Sequence, residues 1–217
     1  PTEAADVAHH LLCAHAAAVQ RFRALGRGAI GLVVNLEPKH PATDDPRDRA
    51  AAARADAYMN RQYLDPVFLG RYPDELHGRF GEAWTERAQE DLQFIRQPID
   101  FLGVNYYSRG IVRHDAAAPP TGAAPVPADV APRTEMGWEV YPDGLRETLC
   151  WVKQRYGDIP LYVPENGAAF ADPPPGPDGV GEDGLRVDYL RRHLRAARDA
   201  IGLGVRLRGY FAWSLLD

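Results

Sequence analysis

Four short apolar runs in this sequence lead into residues able to do chemistry. Leu161-Tyr162-Val163-Pro164 runs into Glu165, and Asn166-Gly167 follows at once. Such a run reads as a buried strand, and Asn-Gly admits the positive φ of a sharp turn, so the carboxylate stands at the strand's C-terminal rim. The other runs end in Asn35, in Asn105-Tyr106-Tyr107 and in Trp213. Side chains alternate along a strand, so Asn105 and Tyr107 share a face and Tyr106 takes the other. Amides, a phenol, a carboxylate and an indole at neighbouring strand ends make a polar cup with an aromatic wall. A cup of this kind suits a sugar, because amides and carboxylates bond hydroxyls while the C–H face of the ring packs on an indole. Each residue also has a plainer reading: Tyr107 and Trp213 as core aromatics, Asn35 as an amide at a loop entry, Glu165 as a surface carboxylate before a turn.

Stiffly held strand ends require a sheet. Residues 29–35, 99–107, 161–167 and 207–213 predict four strands. Residues 5–25 predict a helix, with Val7, Leu11, Ala14, Ala18, Phe22 and Leu25 at helical spacing and Gly26 as its stop. Asp45 caps a second helix that begins at Pro46 and runs to about residue 64. Two shorter helical pieces follow, the second over residues 84–95. A helix marked by Leu145, Leu149, Val152 and Tyr156 stops at Gly157. Another carries Val187, Leu190, Leu194, Ala197 and Ile201 on one face and ends at Gly202 and Gly204. This alternation argues for a parallel sheet with crossover helices. Four strands do not close a barrel, so an open doubly wound sheet and part of a barrel both fit, and long Pro-rich loops at the strand C-termini favour the barrel. Residues 116–132, dense in Ala and Pro, predict a long exposed loop, and residues 172–184 predict another. No repeat and no second domain is visible, so residues 1–217 read as a single domain.

Composition narrows the partners. The 217 residues are 45% hydrophobic and 25% charged, ordinary for a globular chain. No apolar run approaches the ~20 residues that span a bilayer. The 30 acidic and 25 basic residues are mixed along the chain, with a net charge of −5, whereas a nucleic-acid footprint is basic and clustered. The run Arg191-Arg192-His193, with Arg195 and Arg198, reads as the solvated face of an outer helix and not as a nucleic-acid site. The expected ligand is uncharged and polar, with no nucleic acid and no membrane as partner. Cys13 and Cys150 form no metal or redox spacing and read as free buried thiols in a reducing, cytoplasmic compartment. His9, His10 and His15 share a helix without the His-Glu spacing of a zinc site, so structural or surface roles are expected. The sequence opens on Pro1 and does not define the natural N-terminus.

Three stretches resemble signatures of glycoside hydrolase family 1, the β-glucosidases and their relatives. They are Asp100-Phe101-Leu102-Gly103-Val104-Asn105-Tyr106-Tyr107-Ser108, Tyr162-Val163-Pro164-Glu165-Asn166-Gly167 and Gly209-Tyr210-Phe211-Ala212-Trp213-Ser214-Leu215-Leu216-Asp217. Also similar to this family are His9-His10-Leu11-Leu12, Val33-Val34-Asn35-Leu36 with Pro38 and Pro41, Asn60 through Asp65-Pro66, Gly70-Arg71-Tyr72-Pro73, and Gly137-Trp138-Glu139. The resemblance spans essentially the whole chain. It implies an α/β fold, a (β/α)8 TIM barrel of which these residues supply about strands five to eight with their helices. It implies retaining hydrolysis of a small β-glucoside or oligosaccharide by two glutamates, with no metal or organic cofactor. On this resemblance Glu165 is the nucleophile that forms a glycosyl-enzyme intermediate. Tyr107 is the tyrosine that orients it, Trp213 the indole platform beside the sugar, and Asn105 and Asn35 line the pocket. The segment from Trp213 to Asp217 resembles the branch that acts on unphosphorylated sugars.

The departures are as informative. Pro164 stands where the family usually has Thr, and a strand end accepts the fixed φ of proline. The family's acid/base glutamate lies in an Asn-Glu-Pro motif on the fourth barrel strand, upstream of the first helix here. Asn35-Leu36-Glu37-Pro38 imitates that motif with an extra Leu and on the next strand, so Glu37 reads as a loop carboxylate. The family's Glu-Trp pair for the outer hydroxyls falls beyond Asp217. The expectation is a half barrel whose partner is the missing N-terminal half, inactive alone and prone to self-association through its open strand edges. The alternative is a non-catalytic half barrel that binds sugar weakly or serves as an assembly module.

Overall fold

The computed structural model describes residues 2–77, 89–128, 132–172, 174–179 and 181–214. In chain order its elements are α1 (Thr2–Leu25), β1 (Gly31–Asn35), β2 (Lys39–Pro41), α2 (Pro46–Asp56), a π-helical turn (Ala57–Arg61) and α3 (Gln62–Leu69). A 3-10 turn (Asp74–Leu76) follows, then α4 (Gln89–Ile95), β3 (Phe101–Asn105), β4 (Gly110–His114) and β5 (Ala123–Pro125). The remainder is α5 (Pro142–Tyr156), β6 (Leu161–Asn166), α6 (Gly184–Gly202) and β7 (Leu207–Ala212).

The four predicted strands form one parallel sheet in the order β1-β3-β6-β7. Asn35 pairs with Asn105, so these two strand ends lie side by side. Alternation along β3 sets its faces: Leu102, Val104 and Tyr106 are fully buried against the helices. Leu145, Leu149 and Val152 of α5, at helical spacing, are also fully buried and pack into this core with Leu161 and Val163. Truncating any of these leucines to alanine would cost roughly 2–5 kcal/mol. On the opposite face Gly103 leaves room for Pro164, whose ring lies where a Cβ would stand. The β6–β7 register shifts between Val163 and Asn166, and a proline that cannot donate to a ladder fits such an irregularity.

Helix starts and stops follow their local signals. Asp45 caps α2 by accepting from the Arg47 N–H, with Pro46 in the first turn. Gly70, with φ 67°, ends α3, and Gly157 ends α5. The second helical stretch runs on through the π-helical turn to Leu69, beyond the expected residue 64. Of the piece expected over residues 84–95, residues 84–88 lie outside those described.

Four expectations are corrected. The apolar stripe expected to bury α1 faces outward: Val7 and Leu11 are 58% and 59% exposed, while Ala5, Ala8, Leu12, Ala16 and Val19 meet the core. On α6 the expected stripe splits: Val187, Leu194 and Ile201 are exposed, whereas Ala197 is buried and Leu190 packs on the core, which Tyr189, His193, Ala196 and Ala200 complete. Both helices carry two apolar stripes, and the one rich in small residues allows the closer approach. Residues 116–132 are not wholly an exposed loop: β5 pairs antiparallel with β4, which pairs parallel with β2, in a second sheet. Ala123 packs on Ala52, Ala55 and Val112, and Arg54 of α2 donates to the Thr121 carbonyl, so small residues bring this backbone against an alanine-rich helix. Residues 129–131 lie outside those described. Finally, neither Cys13 nor Cys150 is in a disulfide, but both are half-buried rather than buried.

The solvated-face reading holds for the arginines of that run on α6 but not for His193, which helical spacing turns inward to full burial beside Tyr189. His9 is buried, its Nδ1 2.9 Å from the Tyr72 hydroxyl and its Nε2 3.3 Å from Asp91. Arg191, Arg192 and Arg198 pair with Asp188 and Asp199 on the outer face of α6.

Candidate active site

Glu165 is the penultimate residue of β6, and Tyr107 lies two residues beyond the end of β3. The backbone carries pairing past the strand ends, since the Tyr106 N–H donates to the Glu165 carbonyl at 3.0 Å. Tyr106 turns into the core, where its hydroxyl donates to the Tyr141 carbonyl at 2.6 Å. Tyr107 therefore turns the other way, and its hydroxyl donates to Glu165 Oε2 at 2.5 Å. Burial, followed by that bond and the carboxylate charge, raises the Tyr107 pKa well above the usual phenol range. The phenol thus stays protonated and donates at neutral pH.

Asn166, the next residue, fixes the strand end from behind. Its carboxamide has no exposure and is satisfied on three sides. Nδ2 donates to the Tyr106 carbonyl at 2.7 Å and lies 3.0 Å from the Tyr189 hydroxyl, while Oδ1 accepts from the Tyr210 hydroxyl at 2.5 Å. These partners belong to the β3 end, α6 and β7. With Asn166 locked on the helix side, and the register shifting between Val163 and Asn166, Glu165 falls on the same face as Pro164, away from the helices and toward Tyr107. The expected turn at Asn166-Gly167 is corrected here: β6 continues through Asn166, and neither residue takes a positive φ. Glycine is needed at 167 for space, because a Cβ there would collide with the Trp213 carbonyl oxygen. The Trp213 N–H in turn donates to the Asn166 carbonyl at 3.0 Å, and the indole is 56% exposed.

Two cavities adjoin these groups. One of about 600 Å³ is lined by Tyr107, Trp138, Gly167, Phe170, Arg186 and Trp213, among others. A smaller hollow of about 170 Å³ is lined by Asn35, Leu36, Glu37, Tyr107, Ser108, Arg109 and Trp138. Tyr107 and Trp138 border both, with ring centroids 5.6 Å apart. Glu165 lines neither and meets them through the Tyr107 hydroxyl. Asn105 lines neither; it is half-buried, and its Oδ1 has no hydrogen-bond partner among the described residues. Glu37 lies two residues beyond the end of β1 and pairs with Lys39 at 2.5 Å.

Of the five expected site residues, Tyr107 and Glu165 are in direct contact, Trp213 borders the large cavity and Asn35 the small one. Sequence reasoning missed Trp138, Asn166 and the Arg109–Glu139 pair as parts of the site. Trp138 and Glu139 stood in view inside the Gly137-Trp138-Glu139 motif, but an indole in a loop carries no positional signal. Asn166 was legible only as a turn former, because its three partners are 23 to 60 residues distant.

Comparison with known proteins places this geometry. Residues 2–217 match the family described as glycosyl hydrolase family 1. The chain is 38% identical over 217 residues to beta-glucosidase A of Acetivibrio thermocellus, covering 98% of this chain and 48% of that protein. It is 42% identical over 226 residues to a bifunctional beta-D-glucosidase/beta-D-fucosidase of Bifidobacterium breve, covering 97% and 48%. Among solved structures it is similar to the family 1 b-glucosidase from Thermotoga maritima, with TM-score 0.90, 39% identity and coverage of 96% and 47%. The Thermotoga maritima beta-glucosidase in complex with deoxynojirimycin superposes with TM-score 0.90 as well. The chain thus spans about half the length of these relatives, and its α/β fold is about half of their (β/α)8 barrel. On the match of its whole described length, the chain belongs to glycosyl hydrolase family 1.

Proposed function

We propose that these residues are the nucleophile-bearing half of a retaining β-glucosidase that acts on terminal β-D-glucosyl or related β-glycosyl groups. The observation that carries the reading is the 2.5 Å bond from Tyr107 to Glu165 at adjoining strand ends, beside a cavity walled by two indoles. A carboxylate held by one oxygen presents the other to a substrate. Glu165 attacks the anomeric carbon as the glycosidic C–O bond breaks, and the leaving oxygen takes a proton from an acid that residues 1–217 do not supply. Water then attacks the same carbon, the acid group now accepting its proton, and the Glu165 ester bond breaks with the β-configuration restored. Trp213 offers a face for the ring C–H groups, and Asn35 and Asn105 offer amides for hydroxyls. Family relatives named as beta-glucosidases, and the Thermotoga maritima complexes with deoxynojirimycin and with a cyclophellitol analogue transition state mimic, support a small glycoside as ligand. A retaining pair stands about 5–5.5 Å apart, so activity requires the remaining part of the barrel.

The test uses the full-length polypeptide. Glu165→Ala should be inactive on 2,4-dinitrophenyl β-glucoside and be rescued by azide, which enters the vacated face, expels the phenolate and gives the α-glucosyl azide. Formation of the β-azide, or no rescue with activity retained, would remove Glu165 from the nucleophile role.

A further inference from the structure

We propose that Ser108 and Arg109 are positioning residues that clamp Glu139 and so hold Trp138 as a fixed wall against Tyr107. The proposal rests on the β-glucosidase reading for its kinetic consequence, though not for its structural one. Trp138 sits in a loop, after a turn in which Gly137 has φ 76° and donates to the Thr134 carbonyl. An indole that is 42% exposed on such a turn needs an anchor if it is to present one face to a ligand. The Trp138 backbone is bonded on both sides to Thr134, through the Thr134 N–H and Oγ1, and the next residue adds side-chain anchoring. The Glu139 carbonyl accepts from Ser108 Oγ at 2.8 Å, and its carboxylate accepts from Arg109 Nε at 2.8 Å and Nη2 at 3.1 Å. Ser108 and Arg109 directly follow Tyr107, and Glu139 directly follows Trp138, so the clamp ties the two cavity-lining rings through their sequence neighbours.

Arg109 is itself held. Its Nη1 lies 3.1 Å from His40 Nδ1, and its guanidinium stands 3.9 Å above the Tyr141 ring. Arginine only donates, so His40 accepts at Nδ1 and carries its proton on Nε2. That proton faces Glu147 Oε2 at 3.1 Å, while Glu147 Oε1 accepts from the Tyr141 hydroxyl at 2.9 Å. The circuit closes where it began, beneath the arginine. The Arg109 and Glu139 side chains are only 19% and 9% exposed, so water screens the fork weakly.

The test compares the full-length polypeptide, labelled with 5-fluorotryptophan, with its Glu139→Gln and Arg109→Lys variants; lysine keeps the charge and loses the fork. The Trp138 fluorine signal, identified by its loss in Trp138→Phe, should be one sharp line in the parent and broaden or split in both variants. In kinetics with 4-nitrophenyl β-glucoside, each variant should raise KM roughly tenfold with kcat within about twofold. Combined with Trp138→Ala, Glu139→Gln should change KM by no more than about twofold, because the residue it acts through is gone. An unchanged fluorine line overturns the clamp, and so does an equal KM effect in the Trp138→Ala background. A parent that shows the fluorine behaviour but hydrolyses no glucoside leaves the clamp standing and defeats the β-glucosidase reading instead.

Discussion

Tyr107→Phe keeps the ring and removes a single hydrogen bond, which isolates what the phenol does for Glu165. Hydrogen bonds to charged groups contribute roughly 1.5–3 kcal/mol, or about 10–150-fold. In the full-length polypeptide kcat/KM for a β-glucoside should fall within that range, while circular dichroism stays unchanged. An unaltered kcat/KM would mean that the carboxylate needs no such partner. At this scale the sequence was informative where chemistry is carried by residue type, and uninformative where it is carried by space. Glu165 and Tyr107 announce themselves as a carboxylate and a phenol at strand ends. The reason for Gly167 is the Trp213 carbonyl 46 positions on, and the reason for Asn166 is a set of three partners from three elements.

At the scale of elements, periodicity located the four strands of the main sheet and the helices α1, α2, α5 and α6, but not the full burying face of α1 or α6. Each has a stripe of large apolar residues and a stripe of small ones, and a spacing rule cannot rank them. The buried face of α6 includes His193, which has no exposure and stacks on Tyr189 at 3.9 Å. Its Nδ1 bonds the Tyr189 carbonyl at 2.9 Å, and its Nε2 is buried with no hydrogen-bond partner among the described residues. Burial above all, with the Arg192 charge adding to it, lowers its pKa from 6.5 to about 4. The unfolded chain therefore takes up a proton near pH 6.5 that the folded chain refuses until about pH 4. Stability from this group is present above pH 6.5 and declines as pH falls toward 4, by about 3 kcal/mol over that window. Urea unfolding at pH 7 and pH 4.5 should show a smaller loss in His193→Gln than in the parent. Equal losses would show that the imidazole is not a source of acid sensitivity. The second sheet was illegible for a different reason: β2 and β5 have three residues each, too few to show a period, and β5 is placed by pairing with β4, by Ala123 packing on α2 and by the Arg54 side chain on the Thr121 carbonyl just before it.

For the whole molecule, the resemblance gave the half barrel before any geometry was known, because its motifs run in family order from the first helix to the last strand. It also implied open edges on the first and last strands; what it did not give was the apolar surface on the outer faces of α1 and α6. In the described sheet β1 and β7 each have one strand neighbour, and Val33 and Phe211 on them are 49% and 58% exposed. The outward stripes of α1 and α6 add to this apolar surface. Residues 1–217 expressed alone should associate at roughly tens of micromolar, and Leu11→Lys with Leu194→Lys should shift the light-scattering mass toward the monomer. A parent chain that stays monomeric would show that these faces need no cover. The full-length polypeptide reports most directly on the claim that Glu165 is the attacking group. It should be incubated with 2,4-dinitrophenyl 2-deoxy-2-fluoro-β-glucoside, digested and examined by mass spectrometry. The expected result is one fluoroglucosyl adduct on the peptide containing Glu165, and none in Glu165→Gln. An adduct on another carboxylate, or trapping that survives Glu165→Gln, would contradict it.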